Sequence, residues 1–339
     1  MNLNSNYKYI FYTYCKIMKM KINREVFKMN EFKFDINNEV PMMTIKPISI
    51  PTPSNRGEEL QVKVSMPSEG KHLPIILFAH GFGSSMHAYE PLTDFWASHG
   101  FVVIQGTHLD SRTIGLAQDD SRQPDIWRHR VEDLKSILDH LSYIEAQVPG
   151  LSGRLDKNRI ATIGHSFGGQ TAGNLLGLQV MDPDTKETTD LSDYRVKGGI
   201  LLATAGEGGD NLTQFAKDHM PFLNPTFQYM TKPALVVVGD KDQSPLTHLG
   251  PEWMEDPYYL SPGKKSLLKL YDAEHSLGGI AGYEAKETTD ENPQRIDLLQ
   301  HTTWAYLRHI LDIEHDSWET AQNIIKNDTN IADVFSKEE

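Results

Sequence analysis

The residues with the clearest chemical meaning are the five at positions 164–168, which read GHSFG. An apolar run at 159–163, typical of a buried strand, comes directly before them, and a helix is predicted to begin just after them. The pattern G-x-S-x-G between a strand and a helix is typical of a sharp turn that exposes its serine hydroxyl. Ser166 is therefore the candidate nucleophile, with an ordinary packing turn as the alternative.

A serine hydroxyl becomes an effective nucleophile when a histidine accepts its proton and an acid orients that histidine. Two later loops offer these groups, and each follows an apolar run with strand character. Asp242 comes after residues 234–238, and His275 comes after residues 266–271. The order serine, acid, histidine is the one that accompanies G-x-S-x-G. We therefore predict Asp242 as the acid and His275 as the base.

Three other acidic residues compete with Asp242 for this role. Asp240 directly adjoins its strand, where capping of the turn is the simpler function. Glu207 and Asp210 follow the preceding predicted strand and are lesser alternatives. For the base, the alternative is a solvated loop histidine without a catalytic role, because the other histidines late in the chain fall inside a predicted helix.

Ester chemistry also needs backbone N–H groups that are fixed in advance around the developing oxyanion. One candidate is the N–H of Phe167, directly after the nucleophile, and the other is that of Phe82 in the sequence HGFG at 80–83. His80 is expected to order this loop rather than to transfer protons. The two phenyl rings are also candidates for the wall of an acyl pocket, with burial in the core as the alternative.

The elements that must position these residues follow a regular alternation of apolar strands and helical stretches. This alternation predicts an α/β fold with a mainly parallel central sheet and helices on both faces. The predicted strands are 42–50, 60–66, 74–79, 101–105, 159–163, 198–202, 234–238 and 266–271. A helix that begins near residues 127–130 carries an apolar face at Val131, Leu134, Leu138 and Leu141, and a last helix is predicted over 294–313. The arginines at 128 and 130 are expected to form ion pairs or to be solvated.

The chain is expected to hold one such domain at residues 41–315. Residues 1–40 are predicted as a loose leader, because they lack clear periodicity, and they need not belong to the biological start, because Met18, Met20 or Met29 could each be the first residue. The first 30 residues also carry six basic residues against one acidic residue, unlike the rest of the chain. Residues 316–339 are expected to be a C-terminal tail. Segment 206–232, rich in glycine and proline, is predicted as a partial lid over the sheet edge where such folds bind ligands.

Three residues are candidates for contact with substrate. Phe222 and Phe227 lie within segment 206–232 and would line an acyl pocket if this segment is a lid. The alternative is an ordinary helix and loop that buries its own apolar cluster. His108 follows the strand 101–105 at the functional edge of the sheet, and its alternative role is to order the loop.

Composition excludes several other classes of protein. The formal net charge of −13 disfavours a nucleic-acid surface, and there is no run of about 18 apolar residues that would predict a membrane span. The single cysteine, Cys15, excludes an intrachain disulfide and leaves no thiol nucleophile in the predicted domain. The histidines lack the spacing of a zinc site, so neither a metal nor a cofactor is expected. The leader lacks the features of a signal peptide, which makes the cytoplasm the expected compartment.

Taken together, residues 45–313 resemble the α/β-hydrolase superfamily. The sequences GHSFGG at 164–169 and HGFG at 80–83 are similar to those of a group that contains platelet-activating-factor acetylhydrolases, chlorophyllases, polyester hydrolases and bacterial dienelactone-hydrolase-like proteins. The sequence LSGRLD at 151–156 is similar to the bacterial members. Secreted polyester hydrolases typically carry a signal peptide and a disulfide, and dienelactone hydrolases use cysteine at the position of Ser166, so the resemblance to those two activities carries less weight.

The resemblance and the residues together predict a serine esterase without a cofactor. Its substrate is expected to be a small or lipid-like carboxylic ester, cleaved through an acyl-enzyme on Ser166. An acyltransferase or a thioesterase with the same three residues is the alternative among enzymes. A noncatalytic α/β-hydrolase scaffold is the alternative outside them. The sequence leaves the acyl chain length and the oligomeric state open.

Overall fold

A computed structural model of the chain describes residues 39–338, except residue 183 and residues 283–288. The predicted leader therefore lies outside the described residues, apart from its last two positions. The strands are β1 (Met42–Ile50), β2 (Leu60–Pro67), β3 (Leu73–Ala79), β4 (Val102–Gly106), β5 (Leu155–His165), β6 (Gln179–Met181), β7 (Thr188–Thr189), β8 (Val196–Leu202), β9 (Pro225–Thr226), β10 (Ala234–Gly239), β11 (Lys265–Leu270) and β12 (Ala332–Lys337). The α-helices are α1 (Glu90–Ser98), α2 (Ile126–Asp139), α3 (Leu141–Gln147), α4 (Phe167–Leu176), α5 (Gln214–His219), α6 (Asp256–Tyr259), α7 (Pro293–Ile310) and α8 (Ser317–Asp328).

In the part of the chain that the structure describes, nine strands form the central sheet, in the order β1-β2-β4-β3-β5-β8-β10-β11-β12. Neighbouring strands from β4 to β11 in this order are parallel, while β2 and β12 pair with them in the antiparallel direction. The inner strands are continuous apolar runs; every residue of β3 and of β10 is buried. Such runs are typical of strands that are covered on both faces. The prediction of a mainly parallel sheet in an α/β-hydrolase fold is confirmed.

Helix α2 covers the sheet with the predicted apolar face. Val131, Leu134, Leu138 and Leu141 are all buried, the last of them at the start of α3. The same helix also buries charged side chains, among them Arg130 and Asp133. Helix α2 contacts α4, the helix that begins directly after Ser166, so these buried charges lie close to the element that carries the predicted nucleophile.

The segment expected to be a C-terminal tail contains helix α8 and strand β12. Strand β12 pairs with β11 along its whole length, from Leu270 opposite Ala332 to Lys265 opposite Lys337. Trp318 of α8 is buried, and its indole Nε1–H donates to the hydroxyl of Ser266 at 3.1 Å. The expected tail is thus an ordered part of the fold. The sequence does not predict β12 because it is an edge strand, ADVFSK, in which polar residues interrupt the apolar pattern.

Segment 206–232 contains helix α5 and strand β9. Strand β9 pairs with β6 in a small second sheet, β7-β6-β9, and β6 and β7 both come from the stretch between α4 and β8. Phe227 is completely buried, whereas the turn before β9 brings Phe222 to a cavity beside Ser166. Within the described ranges, no helix is long and apolar enough to cross a membrane.

Candidate active site

Ser166 occupies a strained turn between strand β5 and helix α4. Its backbone has φ 55° and ψ −122°, a conformation that residues other than glycine rarely adopt, and its N–H donates to the carbonyl of Leu202 at 2.8 Å. A Cβ atom at Gly164 would come within 1.9 Å of the carbonyl oxygen of Gly168. A Cβ atom at Gly168 would come within 2.0 Å of the carbonyl oxygen of Ala79. The two glycines of G-x-S-x-G are therefore required by the close approach of three backbone segments.

Asp242 and His275 lie in the loops after β10 and β11, and the structure brings them together. The distance from His275 Nδ1 to Asp242 Oδ2 is 2.8 Å. The Asp242 side chain is 2% exposed, while that of His275 is 46% exposed. This arrangement orients the imidazole with Nδ1–H towards the carboxylate and leaves Nε2 as the proton acceptor. The competitor Asp240 has no described hydrogen bond to His275, and its Oδ1 atom is buried without a partner.

Ser166, Asp242 and His275 line one cavity of about 320 Å³. The parallel strands explain this meeting, because β5, β10 and β11 end at the same edge of the sheet. The rest of the lining is mainly apolar and includes Phe82, Phe167, Met220, Phe222, Leu223, Leu246, Trp253 and Met254. The site thus combines a polar end with a pocket for an apolar group.

Phe82 and Phe167, whose N–H groups were predicted to hold the oxyanion, lie on two neighbouring segments. Their ring centroids are 6.2 Å apart, and both side chains line the cavity. Within the part of the chain that the structure describes, neither backbone N–H is used in a hydrogen bond. Two uncommitted donors beside a serine hydroxyl are what acyl transfer requires.

Of the three predicted substrate contacts, the structure brings only Phe222 to the cavity. Its ring stacks on that of Phe167 at 5.0 Å between centroids, and its carbonyl accepts from Gln170 of α4 at 3.0 Å. Phe227 is buried in the core and does not line the cavity. His108 is also fully buried, and its Nδ1 atom lies 2.9 Å from the carboxylate of Asp133 on α2. These two residues therefore have structural roles here, and the substrate contacts predicted for them do not fit their positions.

The alternatives for the acid lie outside the cavity. The carbonyl of Glu207 accepts from the indole of Trp253 at 2.8 Å, and Asp210 pairs with Lys217 at 3.4 Å. The sequence reasoning missed Trp253 and Met254, which come from a helical turn, Pro251–Glu255, in the loop between β10 and β11. The signal available in the sequence was a pair of adjacent large apolar residues in a loop that follows one of the predicted inner strands.

His165, the residue before the nucleophile, connects the base loop with the oxyanion loop. Its Nε2 atom lies 2.8 Å from the carbonyl oxygen of His275, and its Nδ1 atom lies 2.9 Å from the hydroxyl of Tyr89. The hydroxyl of Tyr89 accepts from the N–H of Gly81 at 3.0 Å. Burial, together with the nearby His275, lowers the pKa of His165 to about 3. The ring is therefore neutral, with Nε2–H as donor to His275 and Nδ1 as acceptor from Tyr89.

In the described ranges, no cluster of three or more His, Cys, Asp or Glu side chains has the arrangement of a metal site.

Comparison with known proteins relates this chain to ester hydrolases. A family model described as Chlorophyllase matches residues 24–189, a range that includes Ser166 but neither Asp242 nor His275. Platelet-activating factor acetylhydrolase from Cavia porcellus is 28% identical over 137 residues, which are 30% of this chain and 31% of the relative. Cutinase 1 from Thermobifida cellulosilytica is 28% identical over 190 residues, 55% of this chain and 64% of the relative. Cutinase est2 from Thermobifida alba is 26% identical over 216 residues, 63% of this chain and 56% of the relative. The matched part thus spans less than two thirds of each relative's length.

Proposed function

We propose that this chain, which has an α/β-hydrolase fold and is similar to serine esterases, hydrolyses carboxylic esters with Ser166 as its nucleophile. The observation that carries the proposal is the convergence of Ser166, of the His275–Asp242 pair and of two uncommitted N–H groups on one apolar cavity. The names of the relatives, an acetylhydrolase and cutinases, agree with an acyl ester as substrate.

The reaction proceeds in two halves. In the first, the Ser166 oxygen attacks the ester carbonyl carbon while its proton passes to Nε2 of His275, and the carbonyl oxygen becomes an oxyanion held by the N–H groups of Phe82 and Phe167. The oxyanion then collapses, the bond to the alkoxy group breaks, and His275 returns the proton to the leaving alcohol. In the second half, water activated by His275 attacks the acyl-enzyme and releases the carboxylic acid and free Ser166. Asp242 keeps His275 in the required tautomer and stabilises its protonated form.

The lining of the cavity favours an uncharged acyl group of modest length. Its volume of about 320 Å³ lies at the lower end of the range of roughly 300–1,000 Å³ for small-molecule sites. Its acidic and basic side chains, as far as the structure describes them, are those of Asp242 and His275, and no lysine or arginine lines it. An acyl chain that ended in a carboxylate would lose its hydration here without gaining a cationic partner.

A fluorophosphonate, which bonds covalently to an activated serine, tests the nucleophile directly. The wild type should incorporate one equivalent, and Ser166→Ala should incorporate none and should lose about 10³- to 10⁶-fold in kcat on p-nitrophenyl esters. Ser244→Ala is the matched control, because Ser244 lines the same cavity but the hydrogen bond described for its hydroxyl is one accepted from the N–H of Leu246. Labelling that persists in Ser166→Ala, or a wild type that is neither labelled nor able to release acid from esters, would contradict the proposal.

A further inference from the structure

Arg130 of helix α2 lies directly behind the oxyanion loop and is completely buried. Each of the three nitrogen atoms of its guanidinium group contacts an oxygen atom of another residue. Nε donates to the hydroxyl of Thr171 at 3.0 Å, Nη1 lies 2.5 Å from Asp110 Oδ1, and Nη2 donates to the carbonyl oxygen of His80. Arg130 therefore holds the first residue of the sequence HGFG.

Asp110, its ionic partner, holds the other end of the same sequence. The second carboxylate oxygen of Asp110 accepts from the N–H of Gly83 at 3.0 Å. Burial alone would raise the pKa of Asp110, but Arg130 and the neighbouring polar groups outweigh it and bring this pKa to about 2. The ionised pair thus fixes the carbonyl of His80 and the N–H of Gly83, between which lies Phe82.

Arg130 also contacts the second predicted oxyanion residue. Its Cζ atom lies 4.6 Å from the ring centroid of Phe167, a distance at which a cation and a ring face attract each other. Thr171, which accepts from Arg130, donates its own hydroxyl to the carbonyl of Phe167 at 3.0 Å. A single guanidinium plane therefore joins the segments that carry both N–H donors.

We infer that Arg130, with Asp110, is a positioning residue that sets the spacing between the N–H groups of Phe82 and Phe167. The inference rests on the proposed function. Arg130 does not touch the cavity, so it acts through the two loops rather than on substrate. The physical reason is that an oxyanion hole works only when its donors lie about 2.7–3.1 Å from the future oxyanion. A lysine would keep the charge but lacks the planar set of donors that spans these acceptors.

The test compares Arg130→Lys with Arg128→Lys. Arg128 belongs to the same helix and also lies over a ring, 4.8 Å from the centroid of Trp127, but it is partly exposed and its ion pair with Asp125 is 3.9 Å long. Arg130→Lys should lower kcat about 10²-fold with KM changed less than about twofold, because loss of one donor costs about 10²- to 10³-fold. Arg128→Lys should leave both constants unchanged.

A pair of inhibitors separates positioning from a merely structural role. An alkyl trifluoromethyl ketone forms a tetrahedral adduct on Ser166 that needs both donors, whereas the alkyl ether of equal length fills the pocket without an oxyanion. Arg130→Lys should weaken binding of the ketone by the same factor as kcat and leave binding of the ether unchanged. Unchanged kcat and ketone affinity in the folded variant, or equal losses for both ligands in step with a lower Tm, would overturn the inference.

Thr171→Val provides a second test should Arg130→Lys fail to fold, because valine keeps the shape of threonine but removes its hydrogen bonds. This variant should lose about tenfold in kcat at constant KM; an unchanged kcat would count against the inference. Fluorophosphonate labelling of the wild type distinguishes failure of the proposed function from failure of the inference about Arg130. A wild type that is not labelled contradicts the proposed function, whereas a labelled wild type with undiminished kcat in both variants contradicts only the role of Arg130.

Discussion

The cavity has two kinds of lining, and they are supported in different ways. The polar-backed lining consists of Phe82, Phe167 and His275, which are held from behind by hydrogen bonds and ion pairs. The apolar lining consists of side chains from the loops after β8 and β10: Met220, Phe222, Leu223, Trp253 and Met254. The polar contacts that the structure describes for this lining include those at the carbonyl of Phe222 and the indole of Trp253, and apart from this indole its side chains are apolar.

The difference follows from what each lining is proposed to do. Hydrogen bonds and ion pairs are directional, so the polar-backed lining has its backbone donors and imidazole fixed in position and angle. Apolar packing fills space and depends weakly on direction, so the apolar lining defines a shape rather than the position of single atoms. Changes to the first group should therefore affect the rate of the chemical step, and changes to the second should affect the choice among acyl chains.

The largest expected effect concerns the acid behind His275. Asp242→Asn should lower kcat about 10⁴-fold, because asparagine favours the wrong tautomer of His275. Asp240→Asn is the control in the same loop, since Asp240 has no described hydrogen bond to His275, and it should change kcat less than about threefold. Steady-state kinetics on a p-nitrophenyl ester measures both. Equal losses, or a larger loss in Asp240→Asn, would transfer the role of the acid to Asp240.

The next largest expected effect distinguishes Phe222 of the apolar lining from Phe227 of the core. Phe222→Ala should change the ratio of kcat/KM between octanoyl and acetyl esters by about tenfold, since pocket contacts of this size contribute roughly 1–3 kcal/mol to discrimination. Phe227→Ala should leave this ratio unchanged and lower the free energy of unfolding by about 3–5 kcal/mol, because Phe227 is fully buried away from the cavity.

An acyl series from acetyl to octanoyl, combined with urea unfolding, measures both variants. Should the ratio shift equally in the two variants, or only in Phe227→Ala, the division between pocket and core drawn for segment 206–232 would be wrong.

The smallest expected effect is a decrease in the free energy of unfolding at low pH, caused by histidines that are buried behind the polar-backed lining. His165 has a pKa of about 3 in the folded chain against about 6.5 when unfolded, so the unfolded state binds the extra proton between these values. The contribution of His165 is therefore complete above pH 6.5 and is lost as pH falls, by about 1.4 kcal/mol per unit. Burial also lowers the pKa of His80 and of His108, which adds to the loss in the same direction.

Urea unfolding at pH 7.0 and at pH 5.5 checks this slope. In His165→Gln, the decrease between the two pH values should be smaller than in the wild type by about 1 kcal/mol. An identical decrease in the two proteins would show that His165 is protonated at pH 5.5 in the folded chain.

Much of the fold and of the candidate site is predictable because both follow from the parallel sheet. Continuous apolar runs such as β10 identify the inner strands, and polar residues directly after such runs must meet at one edge. Ser166, Asp242 and His275 were predicted in this way, and the structure brings the three to one cavity. The edge strand β12 was not predicted, because an edge strand needs only one apolar face and polar residues interrupt the apolar pattern of β12.

Side-chain directions after a strand are harder to predict, because they depend on distant partners. His108 follows β4 as expected, but Asp133 from helix α2 draws its ring into the interior. Arg130 was expected to be paired or solvated; it is paired with Asp110, and the structure buries it completely. A signal was present in the helical spacing: Arg130 lies four residues before Leu134 and thus shares its buried face. The sequence alone does not reveal the acceptors of Arg130, which come from three other segments.

The pairing of β12 with β11 has a consequence for the behaviour of the protein at high concentration. Without β12, the backbone N–H and C=O groups of β11 would be exposed along six apolar-rich residues, next to the loop that carries His275. An open edge of this kind is a template for strand pairing between chains and hence for aggregation. Strand β12 replaces it with an edge that carries Asp333 and Lys337, and charges at an edge oppose such pairing. Strand β12 therefore opposes strand pairing between chains at the edge of the sheet next to the loop that carries His275.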